Sequence, residues 1–142
     1  MSAKENVATV HRLYDELNKG NLDIIDEILD PSFVAHGEAM GLDENSPDRR
    51  EAMKQGIRLA RNGLPDLVVT VEDTIAEGDK VVGRLTYRGT HTGNLGNIAP
   101  TGRQITFTAI AINRFVNGKI VERWFNSDEL GMMRQMGLLP PT

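Results

Sequence analysis

The chain has 142 residues, of which 39% are hydrophobic and 25% charged, a length and balance that suit one globular domain over residues 1–142 rather than a disordered segment. Its net charge is −4, and its nearest approach to a basic cluster, Arg49-Arg50, is flanked by Asp48 and Glu51, so the basic face needed for phosphate is missing and nucleic acid is excluded as a partner. The absence of cysteine removes disulfides, thiolate chemistry and cysteine-held metals, and with no apolar signal core and no apolar run near the ~20 residues of a bilayer span, the cytoplasm is expected and a membrane is not.

From Asn6 to Asn18 the residues Val7, Val10, Leu13, Tyr14 and Leu17 recur at three- and four-residue spacing, which predicts an amphipathic helix that Gly20 ends. A second helix is expected from Leu22 to Leu29, stopped by Asp30-Pro31, followed by the short extended piece Phe33-Val34-Ala35-His36. Gly37 to Ser46 has no clear period and reads as a loop beside a pocket. Ser46-Pro47 resembles a helix start, with serine as N-cap and proline in the first position, and this third helix runs to Arg61.

Four strands follow: Leu67 to Ala76, Lys80 to Thr90, Arg103 to Phe115 and Lys119 to Phe125, each rich in Val, Ile, Thr or aromatic residues. Glu77-Gly78-Asp79 and Asn117-Gly118 are hairpin turns, which makes the sheet antiparallel. The broken stretch Gly93 to Gly102 is a long connection of the kind that edges a site, and Glu129 to Leu139 reads as a closing helix. Helical segments followed by a meander of long strands define an α+β fold: a cone-shaped, curved antiparallel sheet (an α+β barrel) with the N-terminal helices on its concave face, enclosing a ligand-sized, mostly apolar pocket.

No phosphate loop, nucleophile elbow, zinc helix or calcium loop occurs. Three separated histidines, His11, His36 and His91, give no metal-ligand spacing. Asp128 draws attention because strand alternation puts Trp124, Asn126 and Asp128 on one face. If that face is the concave one, desolvation beside the indole raises the aspartate toward a useful general acid or base; alternatively Asp128 is the N-cap of the last helix. His36 is either a hydrogen-bond donor or acid toward a ligand or a structural histidine, and His91 carries the same two readings. Tyr14 is a core residue whose hydroxyl can reach the pocket wall.

Phe33-Val34-Ala35-His36, Thr70-Val71-Glu72-Asp73, Gly89-Thr90-His91-Thr92-Gly93, Asn117-Gly118-Lys119-Ile120-Val121-Glu122 and Trp124 through Asp128 into Leu130-Gly131 together resemble the SnoaL-like polyketide cyclases of the nuclear transport factor 2-like (ketosteroid isomerase-like) superfamily. The resemblance implies a homodimer or higher homo-oligomer, a pocket inside the cone and cofactor-free ring closure of a polyketide by aldol chemistry. It places the family's acid/base aspartate on Asp128. A departure accompanies it: where the cyclases offer Gln and His from the third long strand, this chain has Thr108-Ala109-Ile110-Ala111-Ile112-Asn113, with Asn113 the plausible polar partner.

Two functions follow from this reading. The first is a cofactor-independent enzyme for aldol cyclisation, isomerisation or hydration of a small apolar or polyketide-like compound. Its catalytic residues would be Asp128 and His36, and its substrate-binding residues Trp124, Asn126, Asn113, Tyr14 and His91. The second is a non-catalytic small-molecule-binding or assembly module of the same fold.

Overall fold

The computed structural model describes residues 2–37 and 48–139; the expected loop from Gly37 to Ser46, apart from its first residue, and the Ser46-Pro47 helix start lie outside them. The order of elements is α1 (Ala3–Asn18), α2 (Asp23–Ile28), β1 (Leu29–His36), α3 (Arg49–Gly63), β2 (Val68–Glu77), β3 (Lys80–Thr90), β4 (Gln104–Val116), β5 (Lys119–Ser127) and α4 (Glu129–Gln135).

Helix α1 opens on a capping box, in which Ser2 Oγ accepts the Glu5 N–H and the Glu5 carboxylate accepts from the Ser2 N–H. Its buried stripe of Val10, Leu13, Tyr14 and Leu17 faces the sheet, and Gly20, at φ +85°, ends it as expected. Helix α3 is capped by Asp48, whose carboxylate accepts from the N–H groups of Arg50 and Glu51. The second helix stops at Ile28, one residue short of its expected end, and the chain enters β1 at once. Pro31 therefore lies inside a strand rather than terminating a helix; an edge strand tolerates it because its missing N–H is not needed there, and the β1–β5 register shifts between Leu29 and Val34.

The five strands form one sheet in the order β1-β5-β4-β3-β2. The expected hairpins are present: β2–β3, β3–β4 and β4–β5 pair antiparallel, and Asn117 (φ 51°) and Gly118 (φ 78°) adopt the left-handed conformations of a tight turn. The α+β class stands, while the sheet itself is mixed and open rather than wholly antiparallel and closed, because β1 runs parallel to β5. No hairpin joins those two strands, so turn geometry does not fix their relative direction. Helix α1 packs on β2 and β3, α3 on β1, and α4 on β4, so that among the described residues one sheet face is covered by helices and the other is not.

One local irregularity decides which side chains meet the helices. Phe115 of β4 pairs with Ile120 of β5, but Arg114 pairs with Glu122, so Val121 is an extra residue in β5. Such a bulge reverses the alternation beyond it. Ile120 is buried in the core, and past the bulge the inward positions are the odd ones, Arg123 and Phe125. A second bulge in β2, between Val71 and Asp73, likewise turns Ile75 outward, where it is 68% exposed.

The connection from β3 to β4 folds back over the end of α3. Gly93 N–H donates to the Gly63 carbonyl at 3.1 Å, and Asn62 Nδ2 donates to the Asn94 carbonyl at 2.7 Å. A Cβ at Gly93 would overlap the Asn62 carbonyl oxygen. Gly93→Ala is accordingly expected to cost about 1–3 kcal/mol, the usual range for overpacking against atoms that cannot yield, measured by denaturant unfolding.

Candidate functional site

Between the inner sheet face and helices α1, α3 and α4 lies a cavity of about 170 Å³. Its most distinctive wall is aromatic. Tyr87 and Phe107 stack with centroids 4.8 Å apart and planes 4° from parallel, and Phe125 meets Tyr87 edge-on at 6.3 Å. All three residues line the cavity because β3, β4 and β5 are adjacent and each presents an inward position to it: Tyr87 and Phe107 are direct cross-strand partners, and Phe125, the partner of Ala111, lies further along the sheet. Met53 and Ile57 of α3 and Met132 of α4 supply further apolar surface.

One end of the cavity is polar. Arg123, the first inward residue beyond the β5 bulge, is only 4% exposed, yet its side chain lines the cavity. Its Nη2 donates to Tyr14 Oη at 3.2 Å, its Nη1 lies 3.8 Å from Met53 Sδ, and the guanidinium stands 4.7 Å from the Phe125 ring centroid. Arg61 also lines the cavity, its Nη2 donating to the Leu17 carbonyl at 2.8 Å near the C-terminal end of α1. Near α4, Ser127 and Glu129 also line it.

The expected site residues divide between the two sheet faces. Tyr14 lines the cavity. Asn113 is 1% exposed and sits directly across from Arg123 in the β4–β5 ladder, so it belongs to the inner face beside the polar end. Trp124, Asn126 and His36 are on the outer face. There His36 stacks on Trp124 at 5.4 Å, and its Nε2 lies 2.9 Å from Glu122 Oε2. The bulge at Val121 is the physical reason: uninterrupted alternation from the buried Ile120 would have carried Trp124 and Asn126 inward. His91 is fully buried away from the cavity lining, with Nδ1 3.0 Å from Thr101 Oγ1 and its backbone paired to Arg103 and Gly102.

Asp128 lies in the short turn between Ser127 and Glu129, both of which line the cavity, but its own side chain is exposed and does not stand beside the Trp124 indole in an apolar pocket. Its carboxylate accepts the Gly131 N–H at 2.9 Å and caps α4. The lining residues that sequence reasoning missed include Tyr87, Phe107, Arg123, Phe125, Ser127 and Glu129. For Arg123, Phe125 and Ser127 the signal was the same strand alternation read in the other phase, and nothing in Ile120-Val121-Glu122 marks the bulge that selects it.

Among the described residues no group of acidic or histidine side chains is arranged to hold a metal ion, and no helix is long and apolar enough to cross a membrane. Glu122 is held below the ordinary carboxylate range by its hydrogen bond with His36 and then by that from Arg114, whose Nε donates at 3.0 Å.

An aromatic-walled cavity with a buried polar end, set between a sheet and its helices, is a geometry common among small-molecule sites. The family model of the SnoaL-like polyketide cyclases matches residues 8–136, and the chain belongs to that family. Among curated proteins it is 26% identical over 141 residues to the aklanonic acid methyl ester cyclase AcmA of Streptomyces galilaeus, covering 94% of this chain and 91% of that one. It is 29% identical over 136 residues to the cyclase of the same name, DnrD, of Streptomyces peucetius, with the same coverages of 94% and 91%. Among solved structures it superposes on AclR of Streptomyces galilaeus, a candidate hydroxylase, with a TM-score of 0.86 and 26% identity over 99% of this chain and 90% of that one. IdmH of Streptomyces antibioticus gives a TM-score of 0.79 and 32% identity over 93% and 98%.

The Glu122 cluster makes a prediction about acid stability. A carboxylate whose folded-state pKa is lowered stabilises the fold above its unfolded value and loses that contribution as pH falls through the lowered one. Glu122→Gln should therefore make the loss of melting temperature below about pH 4.5, the ordinary glutamate value, shallower than in the parent. Thermal melts across the acid range check this.

Proposed function

We propose that this chain is a cofactor-independent enzyme that binds a small apolar, polyketide-like molecule in the cavity and moves protons on it by acid/base chemistry, as in aldol ring closure. Membership of the cyclase family supports the reading, and the single observation that carries it is the aromatic wall of Tyr87, Phe107 and Phe125 facing a buried polar end. Flat ring systems fit such a wall. Ring closure of this kind requires one carbon-bound proton to be taken up and one to be delivered to the new alkoxide, which a single carboxyl group can do in sequence.

The acid/base carboxylate in this proposal is Asp128, the position that matches the family's aspartate, at the rim between Ser127 and Glu129. Its substrate contacts are Tyr14 and Arg123, which line the cavity, while Asn113, directly across the ladder from Arg123, is not among the lining residues. His36, Trp124 and Asn126 take no part, since they lie on the far side of the sheet. A second reading, a binding module without turnover, is favoured by one specific feature: Asp128 already has a structural task as the cap of α4.

Asparagine caps a helix about as well as aspartate, so Asp128→Asn separates the two readings. A suitable assay follows exchange of the α-proton of an aryl ketone such as 2-acetonaphthone into D2O. Exchange above the buffer rate, reduced about 100-fold or more in Asp128→Asn at unchanged melting temperature, is the expected result for a general acid/base. Exchange that is absent, or equal in the two proteins, would instead establish the binding module.

A homodimer formed through the outer sheet face completes the proposal. Ile75, Val82, Ile112 and Trp124 are successive partners across four strands, and the neighbouring Ile110 is 52% exposed. Covering such a row against a second copy would remove it from water. Sedimentation should show a dimer for the parent chain and a folded monomer for Ile110→Lys; a monomeric parent would overturn this part.

A further inference from the structure

The cavity has a second polar feature, away from Arg123. Along the inner face of β5 the side chains run Arg123, Phe125, Ser127, and four residues of strand put Ser127 roughly 13 Å from Arg123. Ser127 is directly opposite Ala109 of β4, which sets it roughly 7 Å from Phe107, two residues along on the same face. Glu129 follows after one residue and also lines the cavity, where it is the one acid among the described lining residues. Both Ser127 and Glu129 are half-buried, and among the described residues neither side chain has a hydrogen bond or an ion pair. Asp128, between them, is committed differently: it is exposed, and its carboxylate accepts the Gly131 N–H at 2.9 Å.

We propose that Glu129 and Ser127 set the class of ligand: a flat aromatic molecule bearing a hydroxyl group, which lies against Phe107 and donates that hydroxyl to the Glu129 carboxylate. This deepens the proposed function and rests on its reading of the cavity as the ligand site. An ionised carboxylate can only accept hydrogen bonds, whereas a serine hydroxyl can donate one. Together they offer a ligand hydroxyl an acceptor for its hydrogen and a donor for its oxygen.

The selectivity comes from what happens to ligands that lack the donor. In the free protein, solvent meets the half-buried carboxylate. An aromatic ring that displaces this solvent without supplying a donor leaves a charged acceptor poorly solvated, which costs more than a missed contact between neutral groups. A hydroxyl avoids that cost and forms a charge-assisted hydrogen bond instead. The cationic residues of the lining are occupied elsewhere, with Arg61 Nη2 on the Leu17 carbonyl and Arg123 Nη2 on Tyr14 Oη. A ring anchored in this way also presents its neighbouring substituents to Asp128, the residue next to both.

The test compares 2-naphthol, which is uncharged at neutral pH, with 2-methoxynaphthalene, the same ring system with its donor capped. Each is held at fixed concentration and titrated with protein, and binding is followed by the naphthalene fluorescence. The parent should bind the naphthol at least about tenfold more tightly than the ether, the margin expected where a site rejects an analogue that lacks its hydroxyl. Glu129→Leu should bring the two affinities together, and Glu129→Gln, which keeps an acceptor without the charge, should retain part of the difference. Ser127→Ala should weaken both compounds to a similar extent, since the ether oxygen also accepts. Equal affinities in the parent, or a preference that survives in Glu129→Leu, would overturn this assignment while leaving the cavity a ligand site. Failure of both compounds to bind would overturn the cavity reading and this inference together.

Discussion

The extra residue Val121 in β5 constrains the whole site, because it sits between an inward Ile120 and an inward Arg123 that plain alternation would place on opposite faces. Upstream of it, β5 contributes an aliphatic side chain to the core. Downstream, the strand offers the cavity an arginine, a phenylalanine and a serine in turn. Without the bulge the same strand would present Glu122, Trp124 and Asn126 to the helices, and the buried guanidinium would face the opposite side. The pairing of β5 with β1 on one side and β4 on the other holds this phase, since both ladders pair Glu122, Arg123 and Trp124 without interruption beyond the shift.

From that phase the rest of the site follows. Arg123 needs hydrogen-bond partners in an apolar interior, and Tyr14, the one residue of the inward stripe of α1 with a hydroxyl, reaches it. The aromatic wall occupies the same inner face one step further along, so the cavity runs from a cation to a hydrophobic surface. The outer face is built differently. There Glu122 joins His36 and Arg114, and Lys80 Nζ stands 5.7 Å from the centre of the Trp124 ring, a set of exposed polar contacts arranged around an apolar row. One strand therefore serves two surfaces with distinct chemistry. The family gives the fold, and a fold by itself does not fix what a site accepts.

Much of the fold could be read from local chemistry. The stripe of α1, the glycine that ends it and the Asn117-Gly118 turn each depend on a few adjacent residues, and each is where the sequence puts it. The start of β1 was not legible, because Pro31 ordinarily argues for a break and only its place at a sheet edge makes it harmless. The site was legible in part. Tyr14 was identifiable as an inward residue with a hydroxyl, and Asn113 as the amide that follows the apolar run Ala109-Ile110-Ala111-Ile112. Trp124 and Asn126 lie on the outer face for one reason, a bulge that leaves no composition signal in Ile120-Val121-Glu122 although a shift of one residue exchanges every side chain between faces, whereas His36 faces outward by the alternation of β1 from the buried Phe33. Asp128 was open to two readings from sequence, and both its cap and its nearness to the cavity rim are present in the structure.

The claim on which all of this depends is that the odd-numbered residues of β5 beyond Val121 face a cavity shared with α3 and α4. Methionine-methyl NMR tests it most directly, since Met53 and Met132 line the cavity and Met133 does not. On addition of an aromatic ligand such as 2-naphthol, ring-current shifts should appear at the methyls of Met53 and Met132, with Met133 and the Trp124 indole N–H unmoved. Shifts at Trp124 with Met53 and Met132 unchanged would place the ligand on the outer face and contradict the account.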